Sequence, residues 1–218
     1  MSKPLLVIVG AGPGVSSAVA RRFGTEGFKV ALVSRNQASL DKLSSELSRQ
    51  GIETFSVPAD ASKAESIAEA FRTIREQHGE PDVLLYNAAV ISQTSVSALT
   101  EENLLDDFKV NVVGALSSVK QVIPAFVKRE EGTILITGGG FALYPSAEYA
   151  SLSLGKAAVR SLAFSLAQEL KPHNVYVGTV TIGGYVSKGT FYDPDAIAEK
   201  YWELYKNRDE VEYLFVEK

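Results

Sequence analysis

Short apolar runs of strand length alternate along this chain with longer stretches in which apolar residues recur at helical spacing. Repeated βαβ units produce that alternation, so the pattern predicts an α/β fold with a doubly wound, mostly parallel sheet. Residues 5–9 read as a first buried strand, followed by a helix with Val15, Ala18, Val19 and Phe23 on one face until Gly27. A second strand at 30–34 leads to a helix with Leu40, Leu43 and Leu47 inward, closed by Gly51. After a third strand at 54–58, Ser62 and Glu65 have the spacing of a capping box ahead of Ile67, Ala68, Phe71 and Ile74. The fourth strand is expected at 82–86. A long helix at 101–128 then turns Leu105, Phe108, Val112, Val119, Val122 and Phe126 inward, with Pro124 as a kink point. A fifth strand at 133–137, a helix at 148–170 and a sixth strand at 175–182 complete the alternation. Beyond Gly183 the chain becomes aromatic and charged, with a helical pattern through Ile197, Tyr201, Trp202 and Tyr205 and a seventh strand at 213–216. Residues 183–218 are therefore expected to be a lid or interface segment within one domain spanning 1–218.

Composition narrows the class. A chain of 218 residues can bury roughly 70% of its extended surface, so its core needs no staples. The absence of cysteine excludes disulfides, thiolate metal sites and cysteine nucleophiles. His78 and His173 have no metal-ligand spacing to each other or to acids, so no metal is expected. A net charge of −4 and a pI near 5.4 give no global reason to bind nucleic acid or an anionic membrane. Residues 5–9 are too short for a signal-peptide core, and no other apolar run approaches the ~20 residues of a spanning helix. The expected location is the cytoplasm.

Candidate chemistry begins at Gly10, Gly12 and Gly14, which carry the chain from the first strand directly into the helix opened by Val15 and Ser16. Glycines there permit a tight turn and close backbone approach to a pyrophosphate, which the positive end of the helix also favours. The second strand ends at Ser34, Arg35 and Asn36, where an NAD-specific site usually has an acid for the ribose 2′-OH. Arginine suits a 2′-phosphate instead, so NADP(H) is the expected cofactor.

With these residues placed, the chain to about Ser187 resembles the short-chain dehydrogenase/reductase family. The resemblance rests on the glycine turn, Asp60 after the third strand, Asn87, Ala88 and Ala89 after the fourth, Asn111 in the long helix, and Lys156 followed by Ala157, Ala158 and Val159. It implies a Rossmann-like fold in which Asp60 contacts adenine and Asn87 and Ala88 support the cofactor. Lys156 would hold the nicotinamide ribose, and Asn111 would support a water-linked proton path. Gly183 stands in the usual Pro-Gly position, and Ser187 falls where a hydroxyl commonly contacts the nicotinamide amide. Family members commonly oligomerise through the two long helices, so a homodimer or homotetramer is expected.

The same resemblance puts a tyrosine acid four residues before the lysine and a serine thirteen residues before that. Those positions are Leu152 and Gly139. Tyr149 is the candidate replacement. On an uninterrupted helix it faces the right way but lies roughly 10.5 Å from Lys156 along the axis, against about 6 Å for position 152. A helix beginning only after Ala150 leaves Tyr149 in a loop that can bend inward. Tyr144, Tyr185 and Tyr192 are further loop phenols, while Ser146, Ser151 and Ser153 are weaker acids. Two functions follow: an atypical NADP(H)-dependent oxidoreductase acting on a carbonyl or alcohol, or a noncatalytic NADP(H)-binding sensor or partner-binding module.

Overall fold

The computed structural model describes residues 3–217. Seven strands form one sheet in the order β3-β2-β1-β4-β5-β6-β7: β1 (Leu5–Val9), β2 (Lys29–Ser34), β3 (Thr54–Pro58), β4 (Val83–Tyr86), β5 (Gly132–Thr137), β6 (Val175–Ile182) and β7 (Glu212–Phe215). Every pairing is parallel, so "mostly parallel" sharpens to wholly parallel. Parallel strands covered on both faces must be apolar throughout, and β1 and β4 are buried at every position.

Helices α1 (Val15–Thr25), α2 (Gln37–Ser48) and α7 (Pro194–Asn207) cover one face. Helices α3 (Ala64–His78), α5 (Gly114–Arg129) and α6 (Ala150–Leu170) cover the other. Strand order reverses between β1 and β4, and ligands of open α/β sheets bind in the crevice at that switch point, beyond the carboxyl ends of the strands.

Three expectations change. The capping box at Ser62 and Glu65 does not form: α3 begins at Ala64 after Lys63, because the Ser62 hydroxyl donates to Asp60 Oδ1 at 2.7 Å instead. In the long helix, α4 (Glu101–Phe108) joins α5 through a π-helical turn, Lys109–Val113. The wider turn changes the helical phase, so an inward stripe set by Val119, Val122 and Phe126 cannot be extrapolated back through it. Leu105 is consequently 63% exposed, and Asp107 is buried in its stead. The helix after β5 starts at Ala150, not 148, with Tyr149 as its N-cap residue.

The tail is built into the same sheet. α7 packs on α1, where Arg22 Nε donates to Glu199 Oε2 at 2.6 Å, and β7 adds an edge strand beside β6. Residues 194–215 thus extend the sheet as one more crossover unit, joined to it by the exposed loop at 184–193.

The run Glu101–Arg129 contains an 18-residue window of mean hydropathy 1.4, long and apolar enough by composition to cross a membrane. Asn111, Ser117, Ser118, Lys120 and Gln121 interrupt it, and Ala115, Val119, Val122 and Phe126 are fully buried against the sheet. Each large side chain so buried contributes about 1.5–3 kcal/mol. Packing on the sheet accounts for one apolar face, while Val113 and Leu116 stay 45% and 43% exposed on another.

Candidate active site

The glycine turn hangs from the neighbouring strand, with Gly10 N and Ala11 N both donating to Val33 O at 2.9 and 3.0 Å. Gly10 has φ +88°, and a Cβ there would collide with the Ala88 backbone, so no other residue fits without displacement. Gly14 opens α1 with φ +92°. Gly12 differs: a Cβ on it would meet nothing within 4 Å, so the space beside the turn is open. No side chain caps α1, whose first amides remain available at the positive end of the helix. Ser16 exchanges hydrogen bonds with Gly12 N and O, both at 2.9 Å, and braces the turn from behind. An anion such as a pyrophosphate fits this opening by shape and by charge.

Ser34 and Arg35 end β2 beside this turn. Arg35 is exposed and has no ion-pair partner among the described residues. Asp60 lies within its electrostatic reach. The Ser62 hydroxyl, then the Ser62 amide and the charges of Lys63 and Arg35, hold the Asp60 carboxyl below the usual carboxylate range.

The second cluster gathers at the ends of β4 and β5. Asn87 Nδ2 donates to Gly10 O at 3.1 Å, and Thr137 Oγ1 donates to Asn87 Oδ1 at 2.8 Å. Lys156 reaches the same place from α6: its Nζ donates to Thr137 O at 2.8 Å. Its stem crosses Gly139, where a Cβ would stand 3.2 Å from Cδ and Cε. The residue as a whole is half-buried, but the ammonium end is enclosed with no carboxylate beside it, and burial pushes it down to about 8.

Asn111 lies in the π-helical turn, which Tyr86 helps hold by donating its hydroxyl to Val110 O. Asn111 Oδ1 accepts from Val90 N at 2.7 Å and Nδ2 donates to Val90 O at 3.3 Å. Its side chain also lies close against α6, where a Cβ on Gly155 would press on it at 3.0 Å.

Leu152 is only 6% exposed. Tyr149 sits in non-helical backbone, with φ −126° and ψ 51°, and stacks on Phe141 at 5.5 Å between ring centroids. Ala150 N donates to Thr94 O at 3.1 Å, which joins the loops after β4 and β5 over the crevice. The later helix start thus places Tyr149 in the loop, over the short 3₁₀ turn that follows Gly139. Gly183 and Ser187 lie on the loop after β6, Gly183 beside Gly140, whose Cβ would stand 2.9 Å from Gly183 Cα. Ser187 N donates to Tyr192 O at 3.2 Å and Ser187 O accepts from Thr190 Oγ1 at 2.7 Å, bonds internal to that loop.

Thus Gly10, Asn87 and Lys156 are linked directly or through Thr137, with Ala88 packed on Gly10. Thr137 escaped the sequence pattern; its signal was a polar residue ending an apolar strand at the ligand-binding edge. A shallow cavity of about 220 Å³ at the opposite end of β6, near Lys171 and Arg208, is remote from this cluster.

Fold, topology and this cluster are those of a dinucleotide-binding α/β protein. Residues 4–191 match the family described as short chain dehydrogenase, and the chain belongs to that family. It is 29% identical over 176 residues to 2,3-dihydro-2,3-dihydroxybenzoate dehydrogenase of Bacillus subtilis (strain 168), covering 81% of this chain and 67% of that relative. Among solved structures, a metagenomic short-chain oxidoreductase in complex with NADP superposes with a TM-score of 0.89 at 26% identity, covering 98% of this chain and 97% of the other. An alcohol dehydrogenase from the archaeon Thermococcus sibiricus, complexed with 5-hydroxy-NADP, gives 0.87 at 27% identity, with 97% and 95% covered.

Proposed function

We propose that this chain binds NADP(H) across the carboxyl ends of β1, β2, β4 and β5 and acts as a non-standard oxidoreductase on a carbonyl or alcohol. The observation that carries it is Lys156, whose enclosed ammonium has no counter-charge and is held on Thr137 in the same hydrogen-bonded set as the glycine turn. An unpaired buried cation is costly, and such groups cluster where a ligand supplies the missing partners. Cofactors named with the two solved relatives, NADP and 5-hydroxy-NADP, support the phosphorylated dinucleotide.

Gly10, Gly12, Gly14 and Val15 would hold the pyrophosphate, Ser34 and Arg35 the 2′-phosphate, and Asp60 the adenine side. Asn87, Ala88 and Lys156 would support the nicotinamide ribose, with Gly183 and Ser187 at the nicotinamide end. When bound, the cofactor supplies or accepts the hydride. A carbonyl carbon that takes a hydride leaves an oxygen that needs a proton, and with Leu152 aliphatic the candidate donor is Tyr149, with a tyrosine of the loop after β6 as the alternative. Asn111 fixes the loop that walls this side. The substrate would enter between the loops after β4, β5 and β6.

Leu152 and Gly139 favour a second reading, an NADP(H)-binding module without turnover. Loss of a positioned acid costs about 10²–10⁴-fold in rate without touching cofactor affinity. Purified protein given NADPH and a panel of carbonyl compounds, followed by nicotinamide absorbance, separates the two. Specific turnover that falls about 100-fold in Tyr149→Phe supports the enzyme with that acid. Turnover unchanged in the variant removes Tyr149 from the role, and tight binding without turnover favours the module.

A further inference from the structure

Tyr201 lies on α7, far along the chain from the glycine turn, and is fully buried. Its hydroxyl donates to Thr137 Oγ1 at 2.8 Å. Only one arrangement of hydrogens satisfies the chain that begins there. Gly10 O can only accept, so the amide nitrogen of Asn87 must face it, which leaves Asn87 Oδ1 facing Thr137. That oxygen also only accepts, so the single hydroxyl hydrogen of Thr137 is committed to it. Thr137 Oγ1 then offers lone pairs alone, and Tyr201 must be the donor. The backbone carbonyl of the same threonine carries Lys156.

We propose that Tyr201 is a positioning residue for the NADP(H) cradle: by donating into Thr137 it holds in place the hydroxyl that Asn87 Oδ1 accepts from beneath the glycine turn and steadies the seat of Lys156. The tail helix thereby becomes part of the site it backs. This rests on the reading that NADP(H) occupies the crevice. Two further features agree with it. Burial drives the Tyr201 phenol well above its ordinary range, so it remains a donor throughout neutral pH. α7 is also clamped to α1 by Arg22 and Glu199, so the donor and the helix that opens at the glycine turn are held as one unit.

The test uses the full chain. In the cofactor-free wild type, NMR should find the Tyr201 hydroxyl proton protected from exchange, with a close contact to the Thr137 methyl group. Tyr201→Phe keeps the ring, and the Asn87 side-chain amide protons should then exchange about three- to tenfold faster. NADPH affinity, measured by calorimetry, should fall by a similar factor. Thr137→Val should produce the same fall, and the double variant should add little to either, because both remove one relay. Tyr205→Phe, on the same helix but packed among Phe23, Phe28 and Trp202, should bind as wild type. A freely exchanging Tyr201 hydroxyl in the wild type, unchanged Asn87 exchange in Tyr201→Phe, or additive losses in the double variant would overturn the assignment. Failure of the wild type to bind NADPH would instead strike at the proposed function, while the cofactor-free exchange data would still decide whether Tyr201 braces the Thr137–Asn87 link.

Discussion

The two ends of the crevice have been treated differently. Around β1, β2 and β4 the backbone is built to close tolerances: Gly10 is pressed against Ala88, Gly14 has positive φ, and Asn87 spans the gap between strands. Where β5 passes into α6 the backbone is close-set as well, a Cβ on Gly140 standing 2.9 Å from Gly183 Cα, but the side chains offer little chemistry: Gly139 has none under the Lys156 stem, and Leu152 is packed inward. Lys156 belongs to both regions. Demands on phosphate geometry are met by backbone, which tolerates little change, whereas proton transfer hangs on one or two side chains that can be replaced without disturbing the fold. Binding and chemistry can therefore part company within one site.

Adding an acid where β5 passes into α6 should give the largest effect. On the proposed reading, Leu152→Tyr with Gly139→Ser would supply the acid and its partner, and the serine requires the Lys156 stem to yield by a few tenths of an ångström. A gain in carbonyl reduction of about 10²–10⁴-fold, measured as NADPH oxidation, is expected if the cradle is competent. No gain would mean that both ends have diverged together.

Gly10→Ala attacks the other end. The methyl group meets the Ala88 backbone and φ is unfavourable, so unfolding by denaturant should show a loss of about 3 kcal/mol or more, with NADPH binding abolished. Arg35→Ala should weaken NADPH about ten- to 100-fold while leaving NADH within about twofold, because a charge-assisted contact reaches only the 2′-phosphate. Equal losses would remove the specificity assigned to that arginine.

The pH response is smaller. Folding lowers the Lys156 ammonium from 10.5 to about 8, so the folded chain releases this proton first as pH rises. The group therefore costs stability below about pH 8, and that cost is relieved between about 8 and 10.5. The same deprotonation removes the positive charge offered to the ribose and phosphates. NADPH affinity should fall as pH rises through about 8 in the wild type, and that limb should vanish in Lys156→Met.

Strands and helices were legible because a doubly wound sheet writes its two faces into apolar periodicity, and the glycine turn was legible because its residues are contiguous. What escaped has a common cause. The π-helical turn at Lys109–Val113 leaves no compositional mark, so a stripe extended from Phe126 back to Leu105 takes the wrong phase. Ser62 has a choice of hydrogen-bond partners, and spacing favours Glu65 while the folded chain offers Asp60 first. Thr137 and Tyr201 meet only when β5 and α7 are brought together, 64 residues apart, and a tyrosine in a helical stripe is indistinguishable from packing until its hydroxyl has an address.

Calorimetric titration of the wild-type chain with NADPH and NADH at neutral pH tests the central claim most directly. One-to-one binding of NADPH, about tenfold or more tighter than NADH, is the expected result. No heat of association with either nucleotide at millimolar concentration would contradict it.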